Sequence, residues 1–318
     1  MKIVVTRALP GSALEELEGY EVEVLDLGDR PVTESMLIDA ANDADAIISL
    51  LSDPLTRRVI EGCPRLKVIA QYAVGYDNID LDAARERGVV VTHTPGVLTD
   101  ATADMAMALL LAAARWIVPA DRAVREGRFT RWETDQFLGA DLRGRTLGIV
   151  GLGRIGAAMA RRAIGFGMRI IYHNRNRANP SIERLLSARL VPMDVLLEES
   201  DVISLHSSLN AESRHLIDAA AFERMKPTAI LINTAHGAIV DEVALVDALR
   251  RRRIAAAGLD VFEDEPHVHE GLLELDNVVL APHIGSATQA TRARMTEMCV
   301  EAVLAVFNGK DVVPYRIA

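Results

Sequence analysis

Cysteine is nearly absent. The 318 residues hold two, Cys63 and Cys299, far apart and in no metal-ligand spacing. That excludes a disulfide framework or a cysteine-built metal site, and the pair reads as reduced structural thiols. A basic excess is also missing: the net charge is −10, and a general nucleic-acid surface needs a basic face. Acidity by itself bears only on solubility. The longest apolar run, residues 105–114, is too short to span a bilayer. The N-terminal MKIVVTRALPG enters a strand-like run directly, with no h-region followed by a small-residue cleavage site. Internal repeats and low-complexity segments are lacking. The expectation is a cytoplasmic protein with neither nucleic acid nor membrane as partner. The length suggests about two domains, and with half the residues hydrophobic sizeable cores can form.

Residues 2–7, 21–26, 46–50, 67–73 and 89–94 read as strands. Helical segments at 12–17, 34–41, 55–61 and 81–87 alternate with them. This alternation implies βαβ units and a parallel sheet, and burial on both faces explains continuous runs such as AIISL. From residue 146 a second alternation begins. Its strands are expected at 147–150, 169–173, 189–191, 202–206, 229–233, 256–261 and 278–281, with helices at 194–199, 219–225 and 241–250 among those between. A final amphipathic helix is expected at 286–307. The fold class is therefore α/β, with two doubly wound parallel-sheet domains. Between the two alternations, residues 99–116 form a helix that is apolar nearly all round. It could be buried between domains, between subunits or in an ordinary core. Residues 119–143 show no regular period, and a loop of that length is usually functional or an arm.

The chain is organised around residues 146–156, TLGIVGLGRIG. Here an apolar strand runs into Gly-x-Gly-x-x-Gly and a helix. Gly151 permits the tight turn. Gly153 lets the backbone approach a pyrophosphate, and Gly156 lets helix and strand pack closely. The helix N-terminus at Arg154, Ile155 and Gly156 then offers N–H groups and a positive dipole end to phosphate. A carboxylate normally follows about 20 residues later and takes the ribose hydroxyls of NAD. The chain has Asn174, Arg175, Asn176 and Arg177 there instead. Arginines would pair with a 2′-phosphate that a carboxylate would repel, so NADP(H) is expected over NAD(H), held in part by Asn174, Arg175 and Arg177.

Three segments collect polar residues at strand ends: 233–237 with Thr234 and His236, 260–266 with Asp260 and Glu265, and 282–285 with His283. Ligands in open parallel sheets bind beyond the carboxyl ends of the strands. Reducing a carbonyl needs a proton donor near its oxygen. A histidine oriented by a carboxylate supplies one, and His283 with Glu265 fits. His93, His173, His206, His215, His267 and His269 have no comparable setting, and the acidic surroundings of the last two read as a solvated loop.

These motifs resemble the D-isomer-specific 2-hydroxyacid dehydrogenases, nearest the glyoxylate/hydroxypyruvate reductase branch. The likeness covers essentially the whole chain. It rests on YAVGYDNID (72–80), TPGVLTDATADMAMALLLAAAR (94–115), GLGRIG (151–156), INTAHGAIVDE (232–242), GLDVFEDEP (258–266) and APHIGSAT (281–288). The resemblance implies a Rossmann cofactor domain, residues 99–286, inserted into a flavodoxin-like substrate domain made of 1–98 and 287–318. It implies that backbone N–H groups of Val74 and Gly75 hold the substrate carboxylate. It makes His283 the acid/base with Glu265 its partner, and it places Thr234 and Asp260 at the cofactor. It also implies a homodimer through residues 99–143, with Trp132 reaching the partner's active site. The substrate would be a small 2-oxo or 2-hydroxy acid.

One departure stands out. The family's pattern has arginine where this chain has His236. Arginine binds the carboxylate through a planar, permanently charged fork, whereas histidine is mostly neutral at pH 7. A lesser departure is in residues 205–209, LHSSL, where the family often has a proline before the leucine. Three readings follow: a reductase of glyoxylate-type 2-oxo acids, a same-fold dehydrogenase with a shifted substrate, or a catalytically impaired cofactor-binding protein.

Overall fold

The computed structural model describes residues 1–28, 30–312 and 315–318. The chain divides into two compact units: Met1–Leu98 with Ala287–Ala318, and Thr99–Ser286. In the first, β1 (Lys2–Val5), β2 (Glu21–Val24), β3 (Ala46–Ser49), β4 (Val68–Gln71) and β5 (Val90–Thr92) form one parallel sheet in the order β2-β1-β3-β4-β5. That is the flavodoxin-like order. β3 and β4 are buried along their whole length, as central parallel strands with both faces covered must be. One face packs on the helices Glu34–Ala41, Arg57–Gly62 and Leu81–Arg87, through Leu37, Val59, Ile60 and Ala84. The other packs on Gln289–Phe307 through Met295, Cys299, Val300 and Val303. The C-terminal tail runs along β5, with Ile317 donating to the Val91 carbonyl at 2.8 Å and His93 donating to that of Tyr315 at 3.0 Å.

In the second unit the strands are β6 (Thr146–Val150), β7 (Arg169–His173), β8 (Arg189–Leu190), β9 (Val202–Leu205), β10 (Ile230–Asn233), β11 (Ala256–Leu259) and β12 (Val278–Leu280). Their parallel order, β12-β11-β10-β9-β6-β7-β8, is the Rossmann order with one strand added, and it reverses between β6 and β9, the position where such sheets bind ligands. The register lines up His173, Val150, Leu205, Asn233, Leu259 and Leu280 in one row across the sheet. Six strands thus end at the same level, and the residues that follow them share one edge.

The all-round apolar helix is Thr99–Ala114. Ala103, Ala106, Leu109 and Leu110 are buried in the core beneath the sheet, beside the helix Arg154–Gly165. It is a core helix of this unit. It ends two residues earlier than its apolar pattern because Trp116, at φ 54°, turns the chain into a second helix, Ile117–Arg125. Most of that helix falls within residues 119–143, which show no regular sequence period. Pro119 is compatible with it because it sits in the first turn, where no intrahelical N–H is needed. Ile117, Val124, Phe129, Trp132 and Leu138 are exposed along this region. Another unforeseen helix, Pro180–Leu186, starts on the Asn179 side chain, which accepts from the Ser181 N–H. Both cysteines are buried and unbridged. Among the described residues no single helix is long and apolar enough to cross a membrane.

Candidate active site

The turn shows the steric need for glycine at Gly151 and Gly156. Gly151 has φ +96°, and a Cβ there would lie 2.7 Å from the His206 carbonyl carbon and the Ser207 nitrogen. Two constraints therefore hold this glycine: a left-handed backbone and the closeness of the β9 loop. Gly153 caps the helix Arg154–Gly165, and a Cβ on it would meet open space. A Cβ on Gly156 would lie 2.3 Å from the Gly151 carbonyl oxygen, so only glycine lets helix and turn come this close. Arg154 and Ile155 form the first helical turn, where N–H groups lack intrahelical partners. Around this turn His206 Nδ1, Ser207 Oγ and Thr234 Oγ1 are buried with no hydrogen-bond partner among the described residues. Buried polar atoms normally find one. The open face at Gly153 and these orphaned atoms at the ends of β9 and β10 fit a dinucleotide. Burial pushes the His206 imidazole down to about 4, so it lies neutral against Ser204 Oγ at 2.8 Å.

At the end of β7, Asn174 reaches back to the turn, its Oδ1 accepting from the Leu152 N–H at 2.6 Å. The two arginines are held differently. Arg177 grips Glu183 through Nε at 3.0 Å and Nη2 at 2.8 Å, and Tyr172 donates its hydroxyl to the same carboxylate. This Arg177 bond, seconded by Tyr172, holds the Glu183 carboxyl below the usual carboxylate range. Arg175 is exposed and pairs with Glu212 at 3.3 Å. Glu212 belongs to the β9 loop, where an Asn210 turn fixes its backbone, the Glu212 N–H donating to Asn210 Oδ1 at 2.9 Å. A carboxylate absent from the end of β7 in sequence is thus supplied beside it from another loop.

The polar segments after β10, β11 and β12 interlock. Asn233, buried at the end of β10, donates to the His236 carbonyl at 2.9 Å and accepts from the Ala235 N–H at 3.0 Å. This shapes the turn that carries Thr234 and His236. Gly237 then lets that turn meet the next loop, since a Cβ on it would fall 1.8 Å from the Phe262 carbonyl carbon. Glu265 uses both oxygens. Oε1 accepts from the Phe262 N–H at 2.9 Å, and Oε2 faces His283 Nδ1 at 2.8 Å. Burial works against ionising Glu265. The His283 bond and charge, the Phe262 N–H and the nearby charge of His236 outweigh it, so the carboxyl sits below its usual value. Asp260 holds the other side of the histidine turn, accepting from the Ile284 N–H at 2.8 Å and the Gly285 N–H at 2.6 Å. Its burial raises the Asp260 carboxyl above the ordinary range in spite of these donors. His283 adopts φ +53°, a conformation that non-glycine residues seldom adopt and that is held at functional sites by its surroundings.

In the first unit, Val74 and Gly75 lie in the loop that follows β4, at the carboxyl end of that sheet. Sequence patterns passed over two residues here. Gln71 is fully buried at the end of β4, with Nε2 3.3 Å from the Gly75 carbonyl. His93, read as having no special setting, places Nδ1 3.0 Å from the Val74 carbonyl. Asn233, Gly237 and Glu212 were likewise not singled out. The small Asn-Thr-Ala-His-Gly turn was the available signal for the first two. Trp132 is 77% exposed, so within one chain its indole has no packing role.

A family model described as D-isomer specific 2-hydroxyacid dehydrogenase, NAD binding domain, matches residues 107–285. The chain is 49% identical over 314 residues to a glyoxylate reductase of Thermococcus onnurineus, covering 97% of this chain and 93% of that protein. It is similar in structure to a glyoxylate reductase from Paecilomyes thermophila, with a TM-score of 0.89 at 36% identity over 100% of this chain and 98% of that one. It is also similar to an NADPH-dependent glyoxylate/hydroxypyruvate reductase from Sinorhizobium meliloti in complex with NADP and malonate. There the TM-score is 0.87 at 34% identity, over 100% of this chain and 98% of that one.

Proposed function

Since the chain belongs to the D-isomer-specific 2-hydroxyacid dehydrogenases, we propose that it reduces a small 2-oxo acid of the glyoxylate or hydroxypyruvate type to the D-2-hydroxy acid, with NADP(H) preferred and His283 as the acid–base group. The observation that carries this reading is the 2.8 Å contact between His283 Nδ1 and Glu265. A carboxylate oxygen only accepts, so Nδ1 carries a proton, and exchange with the substrate runs through Nε2. In the imidazolium form Nε2–H protonates the carbonyl oxygen. In the reverse direction neutral Nε2 takes the hydroxyl proton. Glu265 stays ionised throughout and favours the charged ring.

Gly151, Gly153, Arg154, Ile155 and Gly156 would hold the cofactor's pyrophosphate, Asn174, Arg175 and Arg177 its adenosine ribose, and Thr234 and Asp260 its nicotinamide end. When bound, the nicotinamide supplies the hydride that reduces the keto carbon. Val74 and Gly75 bind the substrate carboxylate through N–H groups, and Trp132 comes from a second copy of the chain in a homodimer. His236 takes the anion-binding place of the family's arginine, and it is charged only when protonated. The replacement of that arginine by a histidine with fewer donors favours a second reading, in which the same chemistry serves a substrate that needs fewer donors than an arginine fork provides.

The test is oxidation of NADPH and of NADH with a panel of 2-oxo acids. Turnover of glyoxylate or hydroxypyruvate, faster with NADPH, is expected. Turnover confined to other 2-oxo acids makes the second reading the correct one. Tight cofactor binding without turnover of any acid overturns both.

A further inference from the structure

We propose that His93 is a positioning residue for the substrate carboxylate, locking the peptide planes after β4 so that successive N–H groups face one anion, with Gln71 holding the next peptide of the loop. The proposal rests on the reading that Val74 and Gly75 bind that carboxylate. Three consecutive carbonyls in this loop are held. The Ala73 carbonyl accepts from the Thr94 N–H at 2.8 Å. The Val74 carbonyl meets His93 Nδ1 at 3.0 Å, and the Gly75 carbonyl meets Gln71 Nε2 at 3.3 Å. In a trans peptide the C=O and the following N–H point in opposite directions. Holding the carbonyls of Ala73 and Val74 therefore sets the direction of the Val74 and Gly75 N–H groups.

Along an extended strand successive carbonyls would alternate sides. Here two successive carbonyls are drawn to one segment, residues 93–94, so the two N–H groups that follow them are turned away from it together. Such consecutive N–H groups make an anion-binding nest. Among the described residues neither the Val74 N–H nor the Gly75 N–H has a hydrogen-bond acceptor.

The two pins are themselves fixed. Gln71 Oε1 accepts from Ser49 Oγ at 2.7 Å, and Nε2 also donates to Asn78 Oδ1 at 2.7 Å. Asn78 in turn donates to the carbonyls of Leu50 and Asp53 at 3.1 and 2.8 Å. Every polar atom of the buried Gln71 amide is thus engaged, and its donor can face only the loop. His93 is tied through its backbone N–H to the Tyr315 carbonyl at 3.0 Å, and its ring stands edge-on to Tyr76 with centroids 6.0 Å apart. A carbonyl cannot donate, so Nδ1 must carry the proton. The pin is the same in the neutral and charged ring, which makes the role geometric and independent of charge.

Substitution at 93 separates the donor from the bulk of the ring. An asparagine Nδ2 stands as many bonds from Cα as Nδ1 does and also donates. Leucine fills similar space without donating, and aspartate matches asparagine in shape but only accepts. His93→Leu should raise KM for glyoxylate about tenfold, the worth of one well-placed hydrogen bond. The inhibition constant of oxalate should rise in step, with the Kd of NADPH and the melting temperature little changed. His93→Asn should restore both constants to within about twofold of wild type. If the leucine variant fails to fold, aspartate against asparagine makes the same comparison. Gly75→Pro, which deletes an N–H outright, tests the underlying reading. If Gly75→Pro leaves KM for glyoxylate unchanged, the loop does not bind the carboxylate. If Gly75→Pro raises KM while His93→Leu does not, or while leucine and asparagine behave alike, the loop binds the carboxylate but the positioning role is overturned.

Discussion

Replacing Glu265 by glutamine keeps the size of the side chain but removes the negative charge facing His283 Nδ1 at 2.8 Å, and its one oxygen can accept from either the Phe262 N–H or Nδ1–H, not from both. A hydrogen bond to a charged group contributes about 1.5–3 kcal/mol. The two side chains are 34% and 42% exposed, so solvent screening places the effect at the lower end, or about one pKa unit on His283. The carboxyl of Glu265 is itself held below the usual carboxylate range, so it is ionised wherever the histidine titrates. The sign follows from the protonation each direction needs. Reduction requires the imidazolium and declines as pH rises through the His283 value. In Glu265→Gln this decline begins about one unit lower, giving a deficit near tenfold at high pH that closes at low pH. Oxidation requires the neutral ring and declines as pH falls, so there the variant matches wild type at high pH and exceeds it by up to about tenfold at low pH. The assay is kcat/KM for glyoxylate reduction and for 2-hydroxy acid oxidation, from about pH 5 to pH 9, where histidine titrates. A variant-to-wild-type ratio that falls about tenfold with rising pH in both directions, starting from parity in reduction and ending at parity in oxidation, supports the account. A loss by the same factor at every pH in both directions would mean that Glu265 orients the ring without setting its charge.

His236→Arg should raise kcat/KM for glyoxylate about tenfold at pH 8 and little at pH 6, because a histidine's charge fades above about pH 6.5 and arginine's does not. An unchanged profile removes the cation role from position 236, and a loss of activity shows that the histidine serves another substrate. Arg175→Ala should lower the NADPH-over-NADH ratio of kcat/KM about tenfold or more, the worth of a charge-assisted bond. Glu212→Gln should raise that ratio a few-fold by removing a carboxylate 3.3 Å from Arg175. A ratio unmoved in Arg175→Ala means the 2′-phosphate is not read there. Gly237→Ala forces a Cβ to within 1.8 Å of the Phe262 carbonyl carbon. Overpacking of this kind costs about 1–3 kcal/mol, to be seen as a lower melting temperature together with lost turnover, and a variant with wild-type values in both would refute the close approach.

The two doubly wound sheets were readable because parallel strands buried on both faces write continuous apolar runs, as in β3, β4 and β6. The roles of Gly151 and Gly156 were readable because each follows from a local backbone requirement. Less legible was anything decided by a partner distant in sequence. Arg175 and Arg177 look alike in the chain, yet Arg177 is taken up by Glu183 and Arg175 meets Glu212 from another loop, 37 residues on. His93 reads as an unremarked strand-end residue because its partner is a backbone carbonyl 19 residues earlier, and a carbonyl leaves no mark in a sequence. The helix Ile117–Arg125 was missed because it is short and follows directly on an apolar helix, and the break itself falls on Trp116, which is neither Gly nor Pro.

The central claim is that His283 transfers the proton in reduction of a 2-oxo acid. It is tested most directly by steady-state NADPH oxidation with glyoxylate and hydroxypyruvate, wild type against His283→Gln, with the Kd of NADPH measured for both. Loss of a general acid typically costs about 10²–10⁴ in rate. The account predicts turnover by the wild type, a fall of that order in kcat for the variant, and the same cofactor affinity in both. A variant that keeps kcat within severalfold of a working wild type would contradict it.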